Sequence, residues 1–254
     1  MILKPEKISK TQKKETVNKL FEYSTPTWDF FLMMALSSII ITIGLLQSNV
    51  PVIIGGMLIA PMLYPILSLA MGIVVGYPKL MRRSALVILQ SIFAITIISF
   101  VVALLFLEKD LNTEITSRTL PNLAFFIIAI CSGGAVGYSI AKPNINEVLP
   151  GVAITVSLVP PLSVSGIGLA FLKMDFAIGA IGLFFLNLAG IVFAAIFVFA
   201  VMNFYETKEQ VKKKIRAEEK EIEEVNLEKQ QESIKNIEKT LKEATKILKD
   251  TKKK

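Results

Sequence analysis

The chain has 254 residues, 53% of them hydrophobic and only 19% charged, with a formal net charge of +7. A soluble domain carries about 25% charged residues, yet here residues 30–76 hold no charged side chain, which a bilayer demands and a water-soluble core does not. The absence of histidine and the single cysteine, Cys131, exclude histidine-based acid–base catalysis, histidine metal sites and an intramolecular disulfide.

Residues 1–28 carry six lysines and read as a basic cytoplasmic arm. The charged stretch is too long for a signal peptide, and no small-x-small cleavage site follows Leu46. Apolar runs then fall at 30–47, 51–76, 84–107, 122–141, 148–172 and 176–204. Each is long enough to cross a hydrocarbon core of ~30 Å at ~1.5 Å per residue. Lys and Arg decide the orientation. The arm, the 77–83 turn, Lys142 and the tail hold twenty-five of them, whereas Lys109, Arg118 and Lys173 stand alone on the other side. The asymmetry predicts a protein of the cytoplasmic membrane with both termini in the cytoplasm. A re-entrant 51–76 would move Lys79, Arg82 and Arg83 outside, against that count.

The two halves resemble each other. Gly56, Ile59, Pro65, Leu67 and Ser68 recur at the same offsets as Gly151, Ile154, Pro160, Leu162 and Ser163. Lone amides, Gln90 and Asn187, each follow a leucine in the third span of each half, and Ser37–Ser38 has a counterpart in Cys131–Ser132. Three spans per copy would place the second copy upside down. The expected architecture is all-α: about six transmembrane helices in a domain at 29–205, built as inverted repeats 29–107 and 121–205, each with a proline-broken central helix. Prolines free backbone carbonyls that lipid cannot satisfy. The expected site therefore gathers Pro61, Tyr64, Pro65, Ser68, Gln90, Thr155, Ser157, Pro160, Pro161, Ser163 and Asn187 near the bilayer centre, with the two breaks at one depth. The competing reading makes the breaks packing kinks and the amides interhelical hydrogen bonds.

The string GGMLIAPMLYPILSLAMGIVVG and, about 95 residues later, GVAITVSLVPPLSVSGIGLA closely resemble the prokaryotic membrane family known as domain of unknown function 389, over roughly residues 35–202. The resemblance implies a multipass membrane protein in a short form, with only a basic arm and a helical tail. It brings no established substrate or reaction.

Small-residue steps at Gly72 and Gly76, at Gly133 and Gly137, and from Gly166 to Ala170, together with Gly56 and Gly151, predict close helix packing within the chain. No acidic residue lies deep in a span, and no cluster suits a metal, so neither cofactor nor metal is expected. Residues 206–254 form a charged amphipathic helix with heptads through Leu227, Ile234, Ile237, Leu241, Ala244 and Leu248. That tail reads equally as a subunit-pairing coiled coil, a solvated helix or a helix on anionic lipid contacted by Lys252–Lys254. The partners expected are the bilayer, a second copy through the tail, and no nucleic acid. Functionally the pattern reads first as a permease or channel for a small polar or anionic solute at the repeat interface. The alternative is an oligomeric structural or signalling membrane protein whose tail docks a partner. Without histidine, deep carboxylates or metal ligands, an enzyme is not expected.

Overall fold

The structure, a computed structural model, describes residues 8–106, 111–142, 157–217 and 220. Among these, every regular element is helical: α1 (Lys10–Tyr23), α2 (Trp28–Leu46), α3 (Val50–Ile59), α4 (Leu63–Val75), α5 (Pro78–Leu104), α6 (Thr113–Thr116), α7 (Leu123–Ala141), α8 (Val159–Ala170) and α9 (Met174–Val201), then a 3-10 turn at Phe204–Thr207. The chain divides into two compact units at 210/211. In the second, residues 211–217 are helical, and the expected tail heptads lie outside the described residues.

By length and composition α2, α5, α7 and α9 can each cross a membrane, and α3 with α4, bent by 51° at the break, passes the same test only when the pair is counted as one span. At ~1.5 Å per residue, α8 covers about 18 Å, short of a full crossing. Residues 148–156 of the expected span 148–172 lie outside the described residues. The surface is apolar where a soluble protein would be polar. Leu86, Leu89, Phe93, Ile97 and Val101 form an exposed stripe along α5, and Ile178, Phe185, Phe193, Phe197 and Val201 do so along α9. Recurring every three to eight residues, they line outer helix faces suited to lipid.

Packing is reciprocal. α5 and α9 each pack on both α4 and α8, α7 lies against α9, and α2 lies against α3, α5 and α8. Glycines set the closest approaches. A Cβ at Gly133 would stand 2.6 Å from Ile191 Cα, one at Gly56 2.5 Å from Ile41 Cγ1, one at Gly72 3.0 Å from Met81, and one at Gly137 3.4 Å from Ala195 Cα. At the first three a side chain would force its neighbour to shift, whereas Gly137 stands in ordinary van der Waals contact. Gly76 makes no such contact. No atom lies within 4 Å of its would-be Cβ, and its φ of +64° ends α4 in the left-handed conformation, with Tyr77 N–H donating to the Gly72 carbonyl. It is a helix cap, because only glycine takes that φ without steric cost. Gly76→Ala is therefore expected to destabilise by about 1 kcal/mol, readable as a lowered thermal midpoint in detergent.

Polar residues start the helices where the apolar runs begin. Thr27, Asn49 and Asn122 each accept from a backbone N–H two or three residues into α2, α3 and α7. Asn112 has two functions: its Oδ1 caps Ile115 N–H at 3.0 Å, while its Nδ2 donates to the Leu45 carbonyl at 2.7 Å and holds α6 on the end of α2.

The arm at 1–28 is more than a charged extension. α1 opens with a reciprocal capping box between Ser9 and Gln12 and buries Val17, Leu20 and Phe21. Thr16 Oγ1 donates to the Ile140 carbonyl at the end of α7, and Arg83 donates to Thr25 Oγ1 at 2.8 Å while its guanidinium lies 5.8 Å from the Phe21 ring centre. Lys13 Nζ donates to Glu206 Oε2 at 2.8 Å and to the Asn203 carbonyl at 2.9 Å, tying α1 to the end of α9. The hydrogen bond from Lys13, then its charge, holds the exposed Glu206 carboxyl below its ordinary value of 4.5. A depressed carboxyl contributes its stabilisation above the ordinary value and loses it as pH falls through the folded one. Amide exchange in α1 is expected to accelerate on acidification below the ordinary carboxyl value of 4.5, and Glu206→Gln to flatten that dependence.

Candidate functional site

The centre of the bundle is α8. Eleven of its twelve residues are buried, with α5, α9 and α2 around it and α3 touching it. Two glycines make room for it. A Cβ at Gly166 would lie 2.5 Å from the Thr96 carbonyl oxygen of α5, and one at Gly168 would lie 2.9 Å from Ala177 N of α9.

Pro160 and Pro161 stand in the first turn of α8 rather than in mid-helix. There a missing N–H costs nothing and the fixed φ suits a helix start. Pro65 likewise sits in the first turn of α4, and Pro61 in the turn between α3 and α4. The prolines therefore begin helices, and the chain breaks just before them. Side chains from neighbouring helices meet carbonyls at both breaks. Ser37 Oγ donates to the Gly56 carbonyl at 2.8 Å in the last turn of α3. Asn187 Nδ2 donates to the Ser157 carbonyl at 2.9 Å ahead of α8. Asn187 thus holds the chain just ahead of α8, and Ser157 offers it a backbone carbonyl.

The hydroxyls divide into two groups. A buried serine or threonine in a helix usually bonds back to the carbonyl one turn earlier. Ser38 does so to Met34, Thr42 to Ser38 and Ser91 to Val87, and Thr42 Oγ1 accepts in turn from Ser99 Oγ at 2.8 Å. Ser163 and Ser165 on α8, both fully buried, have no partner for their hydroxyls among the described residues, nor does Thr96 Oγ1 on α5. Leaving such a group unmatched costs about 1–3 kcal/mol. The sequence pointed to Ser163. It passed over Ser165 and Thr96, although Ser165 lies one residue before the packing glycine.

The other predicted residues are dispersed. Tyr64 stacks on Tyr23 of α1 with centroids 4.8 Å apart, and Ser68 Oγ meets Ser24 Oγ at 3.4 Å, so α1 covers the start of α4. α4 and α8 share α5 and α9 as neighbours and do not pack extensively on each other among the described residues. Gln90 lies on the exposed face of α5, beside Leu89 and Phe93, and so outside any interior site. The rotation of α5 that puts Gly166 against Thr96 and Ser99 carries Gln90 outward. Thr155 and Gly151 lie outside the described residues. Among the described residues no group of His, Cys, Asp or Glu could hold a metal.

The proline motifs and the helices around them also carry the likeness to other proteins. The family model described as Domain of unknown function (DUF389) matches residues 57–193, from the last turns of α3 into α9. An uncharacterized protein of Methanocaldococcus jannaschii is 33% identical over 172 residues, covering 66% of this chain. The chain spans about half, 52%, of the length of that curated relative. No solved structure matches the chain. With more than half of its residues inside the family model, the chain belongs to the DUF389 family.

Proposed function

We propose that the chain is a permease or channel of the cytoplasmic membrane for a small polar solute that passes beside α8. The carrying observation is the pair of fully buried hydroxyls, Ser163 and Ser165, unmatched on a helix enclosed by protein. A core built only for packing would place alanine there, since a lone buried hydroxyl is a net cost. The reciprocal packing of α5 and α9 on α4 and α8 supports two inverted repeats related by exchange of partners. The solute is uncharged rather than anionic. A helix N-terminus binds anions through its free N–H groups, and two of those in the first turn of α8 are removed by Pro160 and Pro161.

A structural or signalling scaffold is the second reading. Its support is that Asn187, Ser37 and Ser68 all have partners inside the protein and that Pro160, Pro161 and Ser163 are buried. Cysteines placed at Ser163, Ser165 and Ser68, with Cys131 replaced, separate the two. The permease reading expects water-soluble maleimides to reach Ser163→Cys or Ser165→Cys during turnover, and inaccessibility throughout favours the scaffold.

The orientation we propose places α1, Arg83, Lys142 and Glu206 on the cytoplasmic side. Reporter fusions after Val50, Asn112 and Met174 are expected to report the outside, and fusions after Lys79, Asn144 and Lys208 the cytoplasm. The Lys/Arg asymmetry supports this. A cytoplasmic signal after Asn112 would overturn it.

A further inference from the structure

A cavity of about 630 Å³ opens where the start of α1, the end of α7 and the end of α9 converge. Its walls differ in kind. Lys10, Lys13, Lys142 and Glu206 supply one, and Tyr138, Phe197 and Val201 supply another. Phe197 and Val201 belong to the exposed stripe of α9, at 66% and 65% exposure, and Tyr138 is exposed as well. Lys13 already faces Glu206, and Lys142 Nζ stands 5.3 Å from the centre of the Tyr138 ring. Lys10 makes no ion pair among the described residues.

We propose that this groove binds an acidic glycerophospholipid. Its phosphate would lie among the ammonium groups of Lys10, Lys13 and Lys142, and an acyl chain would run along Phe197 and Val201 toward the middle of α9. The chemistry requires both parts. A free phosphate would match the lysines and leave the apolar wall against water. A zwitterionic lipid would match the apolar wall and bring its own cation against Lys10, which it cannot match. The volume is that of a small-molecule site rather than a flat surface. The position suits a boundary lipid: lysine stems and a tyrosine ring at the end of an apolar helix sit at headgroup level. By gripping α1 and α9 together, such a lipid would reinforce the Lys13–Glu206 tie. The inference needs the chain to lie in a membrane and holds whether or not it transports.

The test uses the full chain, delipidated in detergent and offered equal phosphatidylglycerol and phosphatidylcholine before native mass spectrometry. Phosphatidylglycerol is expected to be retained selectively. Lys10→Gln with Lys142→Gln is expected to lower its affinity about thirtyfold, at about 1 kcal/mol for each lysine near the headgroups. Val201→Trp, which fills the apolar wall without touching charge, is expected to lower it too. Arg82→Gln, an equal charge change at the start of α5, is expected to leave it unchanged. Monodispersity and thermal midpoint confirm that each variant is folded. Equal retention of both lipids by the unaltered chain would overturn the proposal. So would an Arg82→Gln effect as large as that of the double variant, or displacement of the lipid by excess inorganic phosphate, which would mark a free-anion site instead.

Discussion

Gly166→Ala is expected to destabilise the folded bundle by about 3 kcal/mol or more, whereas Gly134→Ala is expected to stabilise it slightly. Both glycines lie in helices, and both substitutions gain about 0.5–1 kcal/mol of backbone propensity. What differs is the space. No atom lies within 4 Å of the Cβ that alanine would add at Gly134. At Gly166 the new methyl would stand 2.5 Å from the Thr96 carbonyl oxygen, 2.7 Å from Ser99 Cβ and 2.8 Å from Phe100 N. Two of these are backbone atoms, which no rotamer change can move aside, so α8 and α5 must separate. Overpacking of this kind costs about 1–3 kcal/mol when side chains can yield, and more when they cannot. Separation would also disturb the Thr42–Ser99 hydrogen bond. Denaturant titration in mixed micelles, followed by circular dichroism, measures both variants. Equal stabilities for Gly166→Ala and the unaltered protein would show that α8 does not pack on α5 as described.

Much of this fold could be read from residue order, and the failures have physical causes. Charge-free runs mark spans residue by residue, because each charged group in lipid is costly wherever it sits. Gly56, Gly72 and Gly133 stand at close approaches, whereas Gly76 belongs to a helix end. A packing glycine and a left-handed cap look the same in one dimension. The six lysines of residues 1–28 concealed α1, although Ser9 and Gln12 spell a capping box and Val17, Leu20 and Phe21 its buried face. The prolines marked where the chain breaks but not on which side, and the answer is that they open α4 and α8. Gln90 and Asn187, alike in context, part company because burial depends on how each helix is rotated against its neighbours. Asn187 faces the Ser157 carbonyl, and Gln90 faces out.

Replacing Ser163 and Ser165 together with alanine is expected to raise stability while abolishing solute movement. Each hydroxyl is buried without a partner among the described residues, so its removal relieves a penalty of about 1–3 kcal/mol, and alanine is also the better helix former. Alanine keeps the Cβ and deletes one oxygen, so neither cavity nor clash obscures the result. If the hydroxyls are held in reserve for a solute, the same change removes its hydrogen-bond partners, and swelling of proteoliposomes in urea or glycerol should fall at least tenfold. That opposition of stability and activity is the mark of a site whose cost is tolerated for function. Ser163→Thr with Ser165→Thr restores the oxygens at the expense of a methyl group each, and some recovery of swelling would tie the loss to the hydroxyl. A rise in stability with swelling unchanged would leave the hydroxyls without a transport role and move the reading to the scaffold. A fall in stability would mean that both already have partners in the folded protein, and the argument from α8 would end there.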